Sequence, residues 1–199
     1  MPQKQHVELY RKVLLRRRLL RLWAGSGAAY VPFIGDGDIA AQVYTDRRVF
    51  GADLDASRVE VASGRVSGEV IVADCDQWPF PGETARFGIA DFDAYTYPYE
   101  SFRAFWSEAR KEDLLLLFFT DTVKQAVKRS GNVHKPDGSH YELPALPSRK
   151  RSEVYNSWFS RHIWPWFVAY VPPYRVLDRM RYLRQDTVYW GAVLKRDRD

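Results

Sequence analysis

An α/β fold built on a mostly parallel sheet, covered by helices on both faces, is what this sequence predicts. Three observations carry the prediction: apolar runs of strand length alternate with segments of helical period from Ala29 onward; the run Leu114-Leu-Leu-Leu-Phe-Phe119 is apolar at every position; and the chain ends in two strand-like runs separated by Arg184-Gln-Asp186. Alternating strands and helices pair in parallel, because each helical crossover returns the chain to the same end of the sheet. A run apolar on both sides is what a strand covered on both faces needs.

Taken in order, Val7, Tyr10, Val13, Leu14, Leu19, Leu20 and Trp23 recur at helical spacing, with Arg11, Lys12, Arg16, Arg17, Arg18 and Arg21 between them. Residues 5–24 therefore read as an amphipathic, basic helix, stopped by Gly25-Ser-Gly27. Residues 29–34 form a short buried strand, Gly35-Asp-Gly37 a turn, and residues 39–44 a helix that begins at that turn. A second strand (48–54) and helix (56–62), a third strand (69–73), a fourth strand (87–92) and a helix (99–110) lead to the apolar strand 114–119. Thr120 or Asp121 then caps a helix over 123–128. Residues 131–148 hold two Gly and three Pro and read as a loop long enough to act as a lid. An aromatic-rich helix over 151–164 breaks at Pro165, and strands 175–183 and 187–195 close as an antiparallel hairpin. The sum is a Rossmann-like, seven-stranded, mostly parallel sheet with helices on both faces and a C-terminal antiparallel hairpin.

A chain of 199 residues, 46% hydrophobic, buries one substantial core, so residues 1–199 are expected to form a single domain. Thirty Lys and Arg against 25 Asp and Glu give a net charge of +5, which favours polyanions without specifying one. One cysteine, Cys75, excludes an intramolecular disulfide framework and a thiolate metal cluster. His134, His140 and His162 have no partners at metal-ligand spacing, so no metal is expected. Arginines interrupt the apolar positions of the first helix, and about 18 uninterrupted apolar residues occur nowhere. A soluble, cytoplasmic protein with no membrane contact is the expectation.

An open parallel sheet offers its ligand crevice at the carboxyl ends of the strands, where the strand order reverses. After the first strand stands Val31-Pro-Phe-Ile-Gly-Asp-Gly37, whose glycines let the backbone approach a ligand. Pro32, Phe33, Gly35, Asp36 and Gly37 are thus candidate cofactor contacts. The Gly35-x-Gly37-x-x-Ala40 spacing also fits a dinucleotide fingerprint, or a tight turn with no ligand at all. The second strand ends at Asp53 beside Leu54, where a carboxylate accepts both hydroxyl hydrogens of a ribose while Asp55 caps the next helix. Capping by both acids is the plainer alternative. After the third strand, Asp74 is placed to accept from an adenine amine, and Cys75 offers backbone and a small apolar wall. The fourth strand ends in Asp91-Phe-Asp93-Ala-Tyr95-Thr-Tyr97-Pro-Tyr99; when extended, Asp91 and Asp93 share a face.

In this order the segments resemble class I S-adenosylmethionine-dependent methyltransferases over nearly the whole chain, whose terminal strand inserts antiparallel beside the fifth. The resemblance implies S-adenosylmethionine as cofactor, held by Pro32, Phe33, Gly35, Asp36, Gly37, Asp53, Leu54, Asp74, Cys75 and Asp91. Pro32-Phe33-x-Gly35-x-Gly37 looks most like the D-P-F-x-G-x-G opening of enzymes that methylate amines on nucleic-acid bases, with Val31 in place of the acid. The stretch from Asp91 to Pro98 is similar to the D-x-D-P-F-G-S-P motif of the tRNA guanine N2-dimethyltransferase family, and the likeness continues through Ser101-Phe102 and Thr120-Asp121-Thr122. Ala94 stands where that family has proline, and Tyr97 where it has a small residue.

Methyl transfer from a sulfonium is an in-line displacement that asks the protein for alignment and exclusion of water. For an exocyclic base amine the useful groups are a carboxylate that accepts the amine hydrogens and an aromatic face for the extruded base. Asp93 and Tyr95 take these catalytic roles, with the alternative that Asp93 merely ends a strand and the tyrosines pack beneath the loop. The basic first helix, Lys124, Lys128, Arg129 and Arg149-Lys-Arg151 can neutralise phosphates or form solvated faces. The partner expected is a nucleic acid, RNA ahead of DNA, with a recognition subunit or a homodimer supplying further contacts. Two rival readings remain: a degenerate methyltransferase fold that binds nucleic acid or a partner without catalysis, and a nicotinamide- or flavin-dependent oxidoreductase. Val171-Pro-Pro-Tyr174 looks like the D-P-P-Y box of amine methyltransferases but enters the hairpin, so it reads as a connector.

Overall fold

The computed structural model describes residues 2–94, 97–121, 132–142, 147, 150, 159–184 and 187–197. The elements run α1 (Pro2–Leu22), β1 (Ala28–Pro32), α2 (Asp38–Val43), β2 (Val49–Asp53), α3 (Ala56–Ser63), β3 (Gly68–Val72), β4 (Phe87–Phe92), α4 (Tyr99–Glu108), β5 (Lys111–Asp121), β6 (Asn132–His134) and β7 (His140–Glu142). One π-helical turn (Phe159–Ile163), α5 (Trp164–Tyr170), β8 (Tyr174–Arg184) and β9 (Thr187–Arg196) complete them.

Seven strands form one sheet in the order β3-β2-β1-β4-β5-β9-β8. The first five are parallel, β9 runs antiparallel to β5, and β8 antiparallel to β9. The order reverses between β1 and β4, where Tyr30 lies opposite Ala90, so the ends of these two strands frame the crevice. β1 and β4 are buried at every residue and β5 from Leu115 onward, as their apolar composition demands.

Each face of the sheet carries its own core. On one, Tyr30, Phe87, Phe92, Phe102, Phe105, Phe119 and Trp190 pack beneath α4 and α5. Tyr30 stacks on Phe105 at 5.4 Å and Phe119 on Trp190 at 4.1 Å, geometries worth roughly 0.5–1.5 kcal/mol each beyond area burial. On the other, Val13 and Leu19 of α1 and Trp23 just beyond it cover Val31, Leu116, Phe118 and Val193 together with Val43 and Tyr44. The Trp23 indole donates to the Leu114 carbonyl at 3.1 Å and anchors the end of the helix.

Four local expectations are corrected. The buried stripe of α1 takes in Leu15 and Arg16 and leaves Tyr10 exposed, because Arg16 finds a carboxylate beneath the helix. Thr120 and Asp121 belong to β5 and are buried, and their side chains bond across the strand ends. The segment expected as a loop over 131–148 contains the hairpin β6–β7, turned by Lys135-Pro-Asp-Gly138 with Gly138 at φ 88°, and Arg103 of α4 ties it down through the Pro136 carbonyl. Pro165 stands in the first turn of α5 directly after the π-helical turn, and the backbone is helical from Phe159 through Tyr170, so Pro165 does not break it. The expected helix over 123–128 and the expected helical residues 151–158 lie outside the described residues. Among the described residues no helix is long and apolar enough to cross a membrane.

Candidate active site

The turn after β1 is held in a conformation that its sequence makes specific. Phe33 (φ 58°), Gly35 (φ 53°) and Gly37 (φ 78°) all adopt left-handed backbone. For Phe33 this costs on the order of 1–3 kcal/mol, so neighbouring groups must fix it. They do: the Phe33 amide donates to Cys75 Sγ at 3.3 Å, and the same sulfur lies 3.3 Å from the Ala52 carbonyl, to which its S–H donates. Burial pushes the Cys75 thiol up to about 12 against the opposing Phe33 amide, so the sulfur is a neutral splint between the ends of β1 and β2. The Gly35 amide donates to Asp53 Oδ2 at 2.9 Å, and the Asp55 amide to Asp53 Oδ1 at 3.1 Å. Arg65 closes the turn from outside through the Asp36 carbonyl (3.0 Å) and the Asp38 carboxylate (2.6 Å).

Glycine is required here on two different grounds. A Cβ on Gly37 would stand 3.2 Å from Ala62, so α3 packs directly on the turn. A Cβ on Gly35 would meet only Arg58, at 4.0 Å, so the face above Gly35 is open. Asp53 is half-buried and retains acceptor capacity beyond its two amide bonds. Beside it Leu54 is 71% exposed, an apolar surface at the strand end. Asp55 caps α3 through Ser57 and Arg58, which separates its role from that of Asp53. Asp74 is exposed and accepts from the Asp76 amide at 3.0 Å. Pro32, Phe33, Gly35, Asp36, Gly37, Asp53, Leu54, Asp74 and Cys75 thus come together along the ends of β1, β2 and β3.

The end of β4 is tied to α1. Asp91 is fully buried and receives Arg16 Nε at 2.6 Å, Arg16 Nη2 at 2.5 Å and the Tyr44 hydroxyl at 2.7 Å. Burial opposes the Arg16 charge, and Asp91 more than restores it, so the guanidinium is held firmly protonated. Two residues on, Asp93 receives Lys12 Nζ at 2.7 and 2.8 Å on its two oxygens, and the Thr120 hydroxyl as well. Arg16 Nη2 stands 3.8 Å from Asp93, so one arginine reaches both acids. Burial alone would raise the Asp93 carboxyl; the Lys12 and Arg16 charges and the bonds from Lys12 and Thr120 reverse this and hold it below the usual carboxylate range. Its side chain remains 14% exposed. Tyr95 lies outside the described residues. Tyr97 packs edge-on against Tyr99, whose hydroxyl donates to buried Asp121 at 2.8 Å.

Lys12, Arg16, Tyr44 and Thr120 were not foreseen as site residues. The available signal was spacing: Lys12, Arg16, Leu19 and Trp23 fall on one face of a helix, so two cations sit in line with two buried apolar side chains. Val171-Pro-Pro-Tyr174 lies at the opposite end of the sheet, where the Tyr174 hydroxyl donates to the Glu112 carbonyl at 2.8 Å; it is the connector from α5 into β8. Among the described residues no group of three or more His, Cys, Asp or Glu is placed to hold a metal ion.

A parallel sheet whose last strand inserts antiparallel beside β5, with a glycine turn after β1 and acids at the ends of β2, β3 and β4, is the Rossmann-like methyltransferase fold. No protein-family model and no curated protein sequence matches the chain. Solved structures do: the plantazolicin methyltransferase BpumL in complex with SAH superposes with a TM-score of 0.56 at 8% identity, over 95% of this chain and 83% of that one. Magnesium protoporphyrin IX methyltransferase (ChlM) from Synechocystis PCC 6803, also with bound SAH, gives 0.54 at 11% identity over 96% and 83%. TrmN from Thermus thermophilus gives 0.51 at 15% identity over 92% of this chain, which spans 48% of the length of TrmN.

Proposed function

We propose that this protein is an S-adenosylmethionine-dependent methyltransferase whose acceptor is an exocyclic amine on a nucleic-acid base, in RNA ahead of DNA. One observation carries the reading: Asp93, just beyond β4 at the switch point, is held ionised and accepts two N–H bonds from the Lys12 ammonium. An acceptor amine entering there finds a carboxylate set to take its hydrogens, which directs the nitrogen lone pair away from Asp93. The Lys12 ammonium occupies the place such a donor would take. The cofactor, when bound, supplies an electrophilic methyl group on a sulfonium.

The residues present fit that cofactor. The open face above Gly35 admits close backbone approach, Asp53 has acceptor sites left for ribose hydroxyls, exposed Leu54 offers a wall for an adenine ring, and Asp74 an acceptor for its amine. Phe33, Pro32, Asp36, Gly37 and Cys75 shape the turn, whereas Asp91, buried and bonded on both oxygens by Arg16 and Tyr44, is closed to the cofactor contact expected of it and fixes α1 instead. Tyr95 is assigned the aromatic face for the base through the resemblance of its motif. TrmN, as a neighbour in fold, and the net charge of +5 support nucleic acid as the substrate class.

Calorimetric titration with S-adenosylmethionine and S-adenosylhomocysteine, with NADH and FAD as controls, tests the class; methyl acceptance by RNA and DNA then tests the substrate. Saturable binding of the sulfonium pair alone is expected. An Asp93→Ala variant that folds, binds cofactor and methylates at the parent rate removes the role given to Asp93. A second reading, a non-catalytic binding module, draws on Lys12 closing Asp93 and on Val31 standing where the resembling enzymes carry an acid. Absence of cofactor binding would select it.

A further inference from the structure

The C-terminal hairpin carries a feature that the methyl-transfer site does not use. β8 shifts register by one residue between Val176 and Asp178, and this changes which side chains face α5. Before the shift Val176 packs against the aromatic core; after it Arg179 and Arg181 project from the same face. The Arg179 guanidinium lies 4.2 Å from the centre of the Trp164 ring, and that of Arg181 lies 5.0 Å from the centre of Phe159. Arg181 Nη1 also reaches Ser160 Oγ at 3.5 Å. With Trp190 these residues line a cavity of about 260 Å³.

Three properties define what this cavity takes. Neither guanidinium has a carboxylate within ion-pair distance among the described residues, although two cations two residues apart repel. Trp190 is 1% exposed, and among the described residues its indole N–H has no acceptor, a buried donor left unsatisfied at a cost of about 1–3 kcal/mol. The Arg179 and Arg181 guanidinium groups lie over the rings of Trp164 and Phe159, which restrains them, and a guanidinium so placed keeps N–H donors for a ligand. A ligand with several acceptor oxygens and negative charge answers all three.

The cavity also lies at the working end of the sheet. Arg181 pairs with Trp190 across β8 and β9, Trp190 pairs with Phe119, and Phe119 precedes Thr120, which bonds Asp93. It sits on the face opposite α1. We infer that this cavity is a phosphoryl-binding pocket in which Arg179, Arg181, Ser160 and Trp190 hold a phosphate, and that this phosphate is a phosphodiester flanking the methylated base. The second half rests on the nucleic-acid reading above; the first half does not.

The test compares the full chain with Arg179→Gln/Arg181→Gln and with Trp190→Phe, using inorganic phosphate, 5′-AMP and a short single-stranded RNA as probes. Both arginines are exposed, so the double variant folds; Trp190→Phe keeps an aromatic ring but removes ring volume along with the orphan donor, so its melting temperature is compared with the parent's before binding is read. In the double variant, RNA affinity falls about tenfold or more, as expected for loss of charge-assisted hydrogen bonds. The slope of log affinity against log salt flattens by roughly 0.7–1.4, for one or two lost phosphate contacts. Trp190→Phe weakens every probe that the pocket binds, while S-adenosylmethionine binding is unchanged in both. If inorganic phosphate and 5′-AMP lose affinity but RNA does not, the pocket serves a free phosphate and the strand assignment is overturned. If no probe loses affinity in the double variant, or if Trp190→Phe leaves all of them unaltered, the pocket itself is refuted. A parent protein that binds phosphate here but no S-adenosylmethionine would sink the methyltransferase reading and leave this pocket standing.

Discussion

Replacing Arg16 by methionine keeps most of the apolar stem and removes the cation from Asp91. Arg16 is 1% exposed and Asp91 is fully buried, so no water replaces the two bonds of 2.6 and 2.5 Å that are lost, and Tyr44 alone remains at 2.7 Å. Breaking a buried pair by removing one partner costs about 3–5 kcal/mol. That is a large part of the roughly 5–15 kcal/mol that holds a domain together. At about 2–4 °C per kcal/mol for a chain of this size, Tm falls by roughly 6–20 °C. Asp91→Asn alone also destabilises, since it leaves the buried guanidinium with only Asp93 at 3.8 Å and the Lys12 carbonyl at 3.2 Å. The double variant Arg16→Met/Asp91→Asn removes both charges of the pair and recovers most of the loss, because removing both partners is often nearly neutral. Urea denaturation and calorimetry of the four proteins give the coupling energy. A single variant that melts within about 2 °C of the parent, or losses that simply add in the double, would refute the pairing as the foundation of the β4 end.

Three further outcomes follow from the site geometry. The Asp93 carboxyl is lowered in the folded state, so its contribution to stability is present above the ordinary carboxylate value and is lost as pH falls through the lowered one; urea midpoints of Asp93→Asn should change less between pH 7 and pH 3 than those of the parent, and equal changes would contradict the Lys12 pairing. Cys75, pushed up to about 12 by burial and sealed between Phe33 and Ala52, should resist iodoacetamide at pH 8 until the chain is unfolded in urea; rapid native alkylation would mean that the turn opens. Gly37→Ala puts a Cβ 3.2 Å from Ala62 at φ 78°, so it should cost about 1–3 kcal/mol in denaturation and weaken S-adenosylmethionine binding in calorimetry; unchanged values for both would show the turn to be permissive.

The sheet was legible in the sequence because its strands are written in apolar runs that no helix of this length would carry. Leu114 to Phe119 announces a central strand, and the pair of runs about Arg184-Gln-Asp186 announces the hairpin that becomes β8 and β9. The turn after β1 was legible through Gly35 and Gly37, whose positive φ only glycine adopts freely. The short hairpin β6–β7 was masked by its own turn, because three-residue strands about Pro136-Asp-Gly138 present less pattern than the loop chemistry between them. Hardest to read were the counter-ions. Arg16 and Asp91 are 75 residues apart and Lys12 and Asp93 are 81 apart, so nothing local couples them.

That pairing changes what the positive charge of the chain can mean. A basic first helix invites the reading of a phosphate-binding face, yet Lys12 and Arg16 are spent on the acids at the end of β4, and Arg17 already donates to the Gln42 carbonyl. The arginines of β8 have no such debt: Arg179 and Arg181 face a cavity at the same end of the sheet, and no carboxylate neutralises them among the described residues. Attraction for a polyanion depends on charge that is not already satisfied. On the proposed nucleic-acid reading, the face of the hairpin toward α5 therefore offers a strand unneutralised charge alongside the exposed Arg17, Arg18 and Arg21 of α1, while Lys12 and Arg16 of α1 hold the two β4 carboxylates from the opposite face of the sheet.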